Sequence, residues 1–166
     1  MLLTGTFHRT VDEKCRFAIP RPLRDALGHP ETGILYVSPG TDGSLALYPE
    51  QSFARLATRL DDGSPNARGV RAFSRLFYAQ AQRVEVDHHG RVRLPVELAQ
   101  FAAISKEVVL LGVRDHLEVW DRSRWEQYLA SHQPRYDELA EGAFPCDTVA
   151  TAASANNLPS AREGQS

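Results

Sequence analysis

The chain has 166 residues and a formal charge of −2, from 19 Lys and Arg against 21 Asp and Glu. That length makes one compact domain with some excess, or two very small ones, and an apolar fraction of 42% excludes wholesale disorder. The near-neutral charge argues against a nucleic-acid binder, because such domains are usually basic.

Summed by segment, the charge falls differently. Residues 1–133 carry 17 basic and 16 acidic side chains, whereas residues 134–166 carry 2 and 5. The acidity belongs to the tail, and the body is +1. Gly63–Arg83 holds Arg68, Arg71, Arg75 and Arg83 with no acid. Only Lys14 and Lys106 are lysines. Arginine suits planar, bidentate contacts to phosphate or guanine, although a GC-rich genome also favours its codons. Cys15 and Cys146 lie far apart without a C-x-x-C. Neither a disulfide scaffold nor a tetrahedral metal set is expected, and no cofactor. No signal-peptide pattern opens the chain. The longest apolar stretch, Val108–Val113, is far short of the roughly 20 residues of a membrane span. A soluble, cytoplasmic protein is the expectation.

In chain order, Thr6–Val11 alternates as a short strand. It leads into a five-residue turn, Asp12-Glu13-Lys14-Cys15-Arg16, and a second short strand that ends at Pro20. Two apolar strands around a turn opened by Asp read as a hairpin, because the carboxylate accepts backbone N–H bonds two or three residues on. Pro20 opens a short helix, Arg21–Leu27, closed by Gly28. Strands follow at Ile34–Ser38 and Leu45–Tyr48, then a helix with Phe53, Leu56 and Leu60 on one stripe. Asp61–Pro65 has turn chemistry. Asn66–Ala79 reads as a helix with Val70, Phe73 and Phe77 on one stripe and Arg68, Arg71 and Arg75 on another.

The pattern then recurs. Strand Arg83–Val86 precedes the turn Asp87-His88-His89-Gly90-Arg91, a strand that ends at Pro95, and a helix at Val96–Ala103. Gly90 suits a positive-φ position. Strands Val108–Val113 and Leu117–Trp120 lead to a helix with Trp125, Tyr128, Leu129 and His132 on one face. Ser123-x-x-Glu126 is a candidate capping box. Pro134–Glu141 reads as a short helix, and from Pro145 on the chain has little to bury and reads as disordered.

Val11–Pro20 therefore aligns with Val86–Pro95 at an offset of 75, and Leu45–Tyr48 with Leu117–Trp120 at an offset of 72. Two copies of one unit run from about residue 5 to 60 and from about 81 to 131, joined by a linker helix at about 65–79. One unit is too small to bury its own apolar face. Two in tandem can interleave into one pseudo-symmetric, barrel-like sheet, which predicts a single domain over residues 1–133 and an acidic, largely disordered tail over 134–166.

The paired D-x-x-x-R turns, each followed by an apolar strand and Pro, resemble the MraZ family. So do Gly5, Asp12-x-Lys14-x-Arg16, the linker Ala67-Arg68 through Arg71-Ala72-Phe73-x-Arg75, Leu110-x-Gly112, and Leu117-Glu118-Val119-Trp120 followed by Trp125 and Tyr128. The resemblance covers about residues 1–133. It implies an α+β fold of the AbrB-like superfamily, a pseudo-symmetric swapped-hairpin β-barrel with short helices, two tandem repeats in one domain. It implies a bacterial transcriptional regulator, usually a repressor, of the division and cell-wall gene cluster, associated with the nucleoid. Its partners would be double-stranded DNA carrying short direct promoter repeats and further copies of itself in a ring-like homo-oligomer. The DNA-binding residues implied are Asp12, Lys14 and Arg16 in the first motif, with Asp87 and Arg91 in the second. Cys15 departs from the family, which usually has Gly before the Arg. At positive φ it would cost on the order of 1 kcal/mol relative to Gly.

Physical reasoning runs beside the resemblance. Asp12 can brace its turn and orient Arg16, which can reach guanine, while Lys14 at the tip can reach a phosphate. Several weak tips on one ring would bind direct repeats together. The competing reading is that both Asp–Arg pairs are intra-turn salt bridges, the more so for the second turn, whose tip carries His88-His89 in place of Lys. Adjacent histidines usually point apart, so a metal site there is not expected. Asp115-His116 has no nucleophile at motif spacing, and no enzyme motif is present. The runner-up function is an AbrB-related, antitoxin-like protein-interaction module that uses the acidic tail.

Overall fold

Alternating burial marks the edge and short strands, runs of consecutive buried residues mark the central ones, and proline fixes where the short helices begin. The computed structural model describes residues 2–28, 33–61 and 67–144. These fall into two units, Met1–Ser131 and His132–Ser166. The first is α+β. Its elements are β1 (Thr6–Thr10), β2 (Arg16–Ala18), α1 (Arg21–Ala26), β3 (Ile34–Pro39), β4 (Leu45–Pro49), α2 (Glu50–Asp61), α3 (Arg68–Gln80), β5 (Gln82–Glu85), β6 (Arg91–Arg93), α4 (Val96–Phe101), β7 (Glu107–Val113), β8 (His116–Asp121) and α5 (Arg122–His132). Pro20 (φ −54°) and Pro95 (φ −58°) hold the extended backbone that precedes α1 and α4. The second unit holds a short 3-10 turn, Gln133–Arg135, and α6 (Tyr136–Ala143), whose first turn carries Asp137 and Glu138. The helix expected at Pro134–Glu141 is thus present. The expected loop at 61–65 falls almost entirely outside the described residues, and the expected disorder from Pro145 on does so completely.

Six strands form one antiparallel sheet in the order β1-β7-β8-β4-β3-β5, and β2 pairs with β6 in a second. The first strand of each half pairs with the third strand of the other half: β1 with β7, and β5 with β3. The centre of the large sheet is β4 on β8, with Leu45, Ala46 and Leu47 opposite Val119, Glu118 and Leu117. In the small sheet Arg16, Phe17 and Ala18 lie opposite Arg93, Val92 and Arg91. Both registers map onto themselves when residues exchange at the sequence offsets of 72 and 75.

Between the two sheets lies the core. Phe17, Val92, Leu23, Leu98, Leu47, Leu117, Leu110 and Val37 are all buried in one cluster. On the opposite face of the large sheet, Trp120 packs with Trp125 and Tyr128. Tyr36 stacks on Phe53 at 4.5 Å, and Phe53 on Phe77 at 5.8 Å. These contacts place Phe53 and Trp125 in the packing expected of them.

Three local expectations need correction. The strands around each D-x-x-x-R turn separate into different sheets, because β1 leaves for β7 and β5 for β3 while β2 and β6 pair with each other; the second turn keeps one antiparallel bridge, Val86 to Val92, of the expected hairpin. Ser123 does not cap α5. Asp121 does, accepting the Ser123 amide at 3.0 Å on Oδ1, and the same carboxylate accepts the Ser105 hydroxyl at 2.7 Å on Oδ2. Glu126 instead accepts from Arg122. Leu129 is exposed, as is Phe73 on α3, so each stripe is narrower than its spacing suggests.

Phe17 joins the two halves at the centre of the small sheet and is buried. Phe17→Ala should lower unfolding free energy by about 3–5 kcal/mol, measured by urea denaturation. A loss comparable to that of an exposed-site substitution would show that the small sheet is not part of the cooperative unit.

Candidate nucleic-acid interface

The two D-x-x-x-R turns close with the same hydrogen bonds. In the first, Asp12 Oδ1 accepts the amides of Lys14 and Arg16, both at 2.9 Å, and Oδ2 accepts Arg16 Nε at 2.8 Å. The backbone seals the turn, with the Asp12 amide donating to the Arg16 carbonyl at 2.9 Å and the Cys15 amide to the Asp12 carbonyl at 3.0 Å. In the second, Asp87 Oδ1 accepts the amides of His89 and Arg91 and Oδ2 accepts Arg91 Nε, each at 2.9 Å. The Asp87 amide donates to the Arg91 carbonyl, and the Gly90 amide to the Asp87 carbonyl, both at 2.8 Å. The backbone N–H of Arg16 leads in holding the Asp12 carboxyl below the usual carboxylate range. The Arg91 amide does the same for Asp87, lowering it to about 2.

This geometry makes the salt-bridge and DNA-contact readings compatible. Each Asp engages only the Nε edge of its Arg. Among the described residues, the terminal Nη atoms of Arg16 and Arg91 meet no hydrogen-bond acceptor. A guanidinium fixed through Nε has one freedom removed and its bidentate edge still available.

Register brings the two turns together. Phe17 and Val92 point into the core, so Arg16, Ala18, Arg91 and Arg93 share the outward face of the β2–β6 ribbon. Arg16 lies directly opposite Arg93. Like charges placed opposite across a ladder repel, and an anion above them would relieve that. Arg93 did not figure among the expected site residues. The signal was available in Arg91-Val92-Arg93, whose alternation puts both arginines on one face.

The turns differ at the residue immediately before the Arg. Gly90 has φ +75° and Cys15 has φ +55°, so the Cys occupies a left-handed position. Cys15 is partly buried against the core, and that contact offsets the strain. A Cβ at Gly90 would instead run into the Arg24 guanidinium, which lies across the second turn. Gly112 is constrained another way: its Cβ would overlap the backbone of Leu3 and Thr4. The His88 and His89 rings sit side by side, centroids 3.9 Å apart, and do not diverge as adjacent residues usually do. No group of three potential metal ligands exists among the described residues. Arg68, Arg71 and Arg75 lie exposed on α3, away from both turns in sequence.

Known proteins match this chain over the same span. The transcriptional regulator MraZ of Finegoldia magna is 37% identical over 147 residues, 89% of this chain and 99% of the relative. The chain belongs to the MraZ family. The family model described as "MraZ protein, putative antitoxin-like" matches residues 77–144, which include the second turn. The transcriptional regulators MraZ of Moorella thermoacetica and Lactiplantibacillus plantarum are 36% and 37% identical, over 84% and 82% of this chain and 95% and 94% of theirs. Among the described residues, no helix is long and apolar enough to cross a membrane.

A carboxylate held low by its turn supports the fold only while ionised. Asp87 should therefore contribute stability above pH 3.8, and lose that contribution as pH falls toward 2. Carboxyl NMR titration should give an Asp87 midpoint near 2. A midpoint near 3.8 would mean that the turn is not closed in solution.

Proposed function

We propose that this protein is a sequence-specific DNA-binding transcriptional regulator, acting as a repressor on short direct repeats in the promoter of the division and cell-wall gene cluster. The observation that carries the reading is the outward face of the β2–β6 ribbon, where Arg16, Arg91 and Arg93 are held by register and two are oriented by Asp12 and Asp87. A two-stranded ribbon fits the B-DNA major groove, and Arg reads guanine O6 and N7 bidentately. Lys14, at the tip of the first turn, adds a phosphate contact. The swap of first strands between halves, β1 to β7 and β5 to β3, supports a swapped-hairpin barrel of the AbrB-like kind, built from two tandem repeats in one domain over about residues 1–133. Such a barrel carries both turns on one ribbon. The names of the relatives support regulation of transcription.

The body's charge of +1 is a weak field for a polyanion. The reading therefore includes a ring-like homo-oligomer, which presents many ribbons to many repeats and multiplies weak single contacts through effective concentration. Such a protein would sit on the nucleoid in the cytoplasm.

Arg16→Ala should weaken binding to repeat DNA by about 1–3 kcal/mol per engaged site, while the oligomer persists by light scattering. Lys14→Ala should instead weaken binding to all sequences and flatten the salt dependence by about one counterion. Arg16→Ala binding repeat DNA like the parent would overturn the ribbon mechanism.

A second reading, an antitoxin-like protein-interaction module, draws on the separate unit from His132 with its acidic α6. Deleting residues 134–166 separates the two. Under the first reading DNA binding survives, and under the second the main activity is lost.

A further inference from the structure

One cavity in the first unit has a composition that DNA contact at the ribbon does not explain. It measures about 300 Å³ and is lined by Tyr48, Ser52, Arg55, Leu56, Arg59, Arg114, Asp115 and His116. Its walls come from different parts of the chain. Arg55 and Arg59 stand one turn apart on α2, and Arg114 and Asp115 form the tight turn between β7 and β8. The floor is polar and built in. Ser52 is 2% exposed, and its hydroxyl accepts Arg55 Nη2 at 3.0 Å. Tyr48 stacks on the His116 ring at 4.9 Å.

The charges do not balance. Among the described residues three arginines line the cavity against one acid, which is shared by one of them, Arg114, and by His116. Asp115 Oδ1 lies 3.1 Å from His116 Nδ1, and its Oδ2 lies 3.6 Å from Arg114 Nη2. Glu118, just outside, lies 3.8 Å from His116 Nε2 and accepts the Trp120 indole N–H at 2.9 Å. Burial opposes charging of His116, but its bonds to Glu118 and Asp115 outweigh burial and raise its pKa. Among the described residues, Arg59 makes no ion pair and Arg55 meets only the neutral Ser52 hydroxyl. Like charges one helical turn apart repel. Arg114, moreover, holds φ +61°, a conformation that favours glycine.

We propose that this cleft binds a small phosphorylated anion, clamped by Arg55, Arg59 and Arg114. Guanidinium forks match phosphate oxygens, and several converging on one point select a multiply charged group over a single carboxylate. A volume of about 300 Å³ exceeds what a bare phosphate fills and reaches the lower range of small-molecule sites. The site is remote from the first DNA-contact turn. Thr10 beside that turn pairs with Glu107, whereas Leu3 at the other end of the same edge pairs with Arg114. Seven residues of strand separate them, about 23 Å. The ligand would join α2 of the first half to the β7–β8 turn of the second, across the β4–β8 seam at the centre of the sheet.

Isothermal titration of the full chain with inorganic pyrophosphate and with a hexose phosphate, at constant ionic strength, tests the site. Saturable binding with one site per chain is expected. Arg59→Gln and Arg114→Gly should each weaken it at least about tenfold, and Arg68→Gln on α3 should not. Arg114→Gly also relieves the left-handed backbone, so its loss of binding cannot be ascribed to unfolding. Absence of saturable binding, or binding indifferent to Arg59→Gln and Arg114→Gly, overturns the proposal. Variants that leave phosphate binding intact but lower the oligomer mass, or weaken only DNA binding, would assign the arginines to a neighbouring copy or to the DNA backbone and would equally overturn it.

Discussion

A carboxylate that accepts two backbone amides and the Nε of an arginine four residues on is the interaction on which the rest of this molecule depends. It occurs twice, at Asp12 and at Asp87, with all its distances between 2.8 and 2.9 Å. It does three things at once. It satisfies the amides of a tight turn that would otherwise need water. It sends the chain from the large sheet into the small one. It also fixes an arginine at the turn's exit with its terminal Nη atoms uncommitted among the described residues. Both pairs remain open to solvent, the first more than the second, and such ion pairs contribute little to stability on their own. Their value lies in orientation.

Strand pairing converts that local device into a surface. Because β2 lies antiparallel to β6 with Phe17 opposite Val92, the two turns deliver their arginines to one outward face while the apolar residues between them close the core. The arrangement sets Arg16 against Arg93 and tolerates their repulsion. The two halves are not equal. Lys14 and the strained Cys15 mark the first turn. Closely spaced, mutually tilted histidines and the overlying Arg24 mark the second, where Arg24 Nε is buried without a partner among the described residues. Under the proposed function the first turn is the more open to DNA, and the second contributes mainly through Arg91 and Arg93.

Much of this was legible in the residues. The alternation of Thr6–Thr10, the prolines before α1 and α4, and the matched apolar positions of β4 and β8 gave their elements to within a residue or two. The Asp–Arg spacing correctly announced two closed turns, since an Asx-type turn is a local event. What could not be read was anything set by partners distant in sequence. Nothing in Thr6–Thr10 says that β1 pairs with β7 rather than with β2, and a hairpin was the local reading. Asp121 displaces Ser123 as the cap of α5 because Ser105, 16 residues earlier, fixes its other oxygen. Arg93 stands out only through its register opposite Arg16, which its own strand does not encode. The cavity of Arg55, Arg59 and Arg114 was equally invisible, since its walls come from opposite halves of the chain.

The near-neutral charge that first weighed against nucleic acid is consistent with a few oriented arginines multiplied by assembly, rather than a broad basic field. The crystal structure of the protein on a duplex with two direct promoter repeats tests this most directly. The account predicts the β2–β6 face in the major groove, Arg16 Nη atoms bonded to guanine or phosphate, and the Asp12 bond to Arg16 Nε intact. A complex in which that face looks away from the DNA would contradict it.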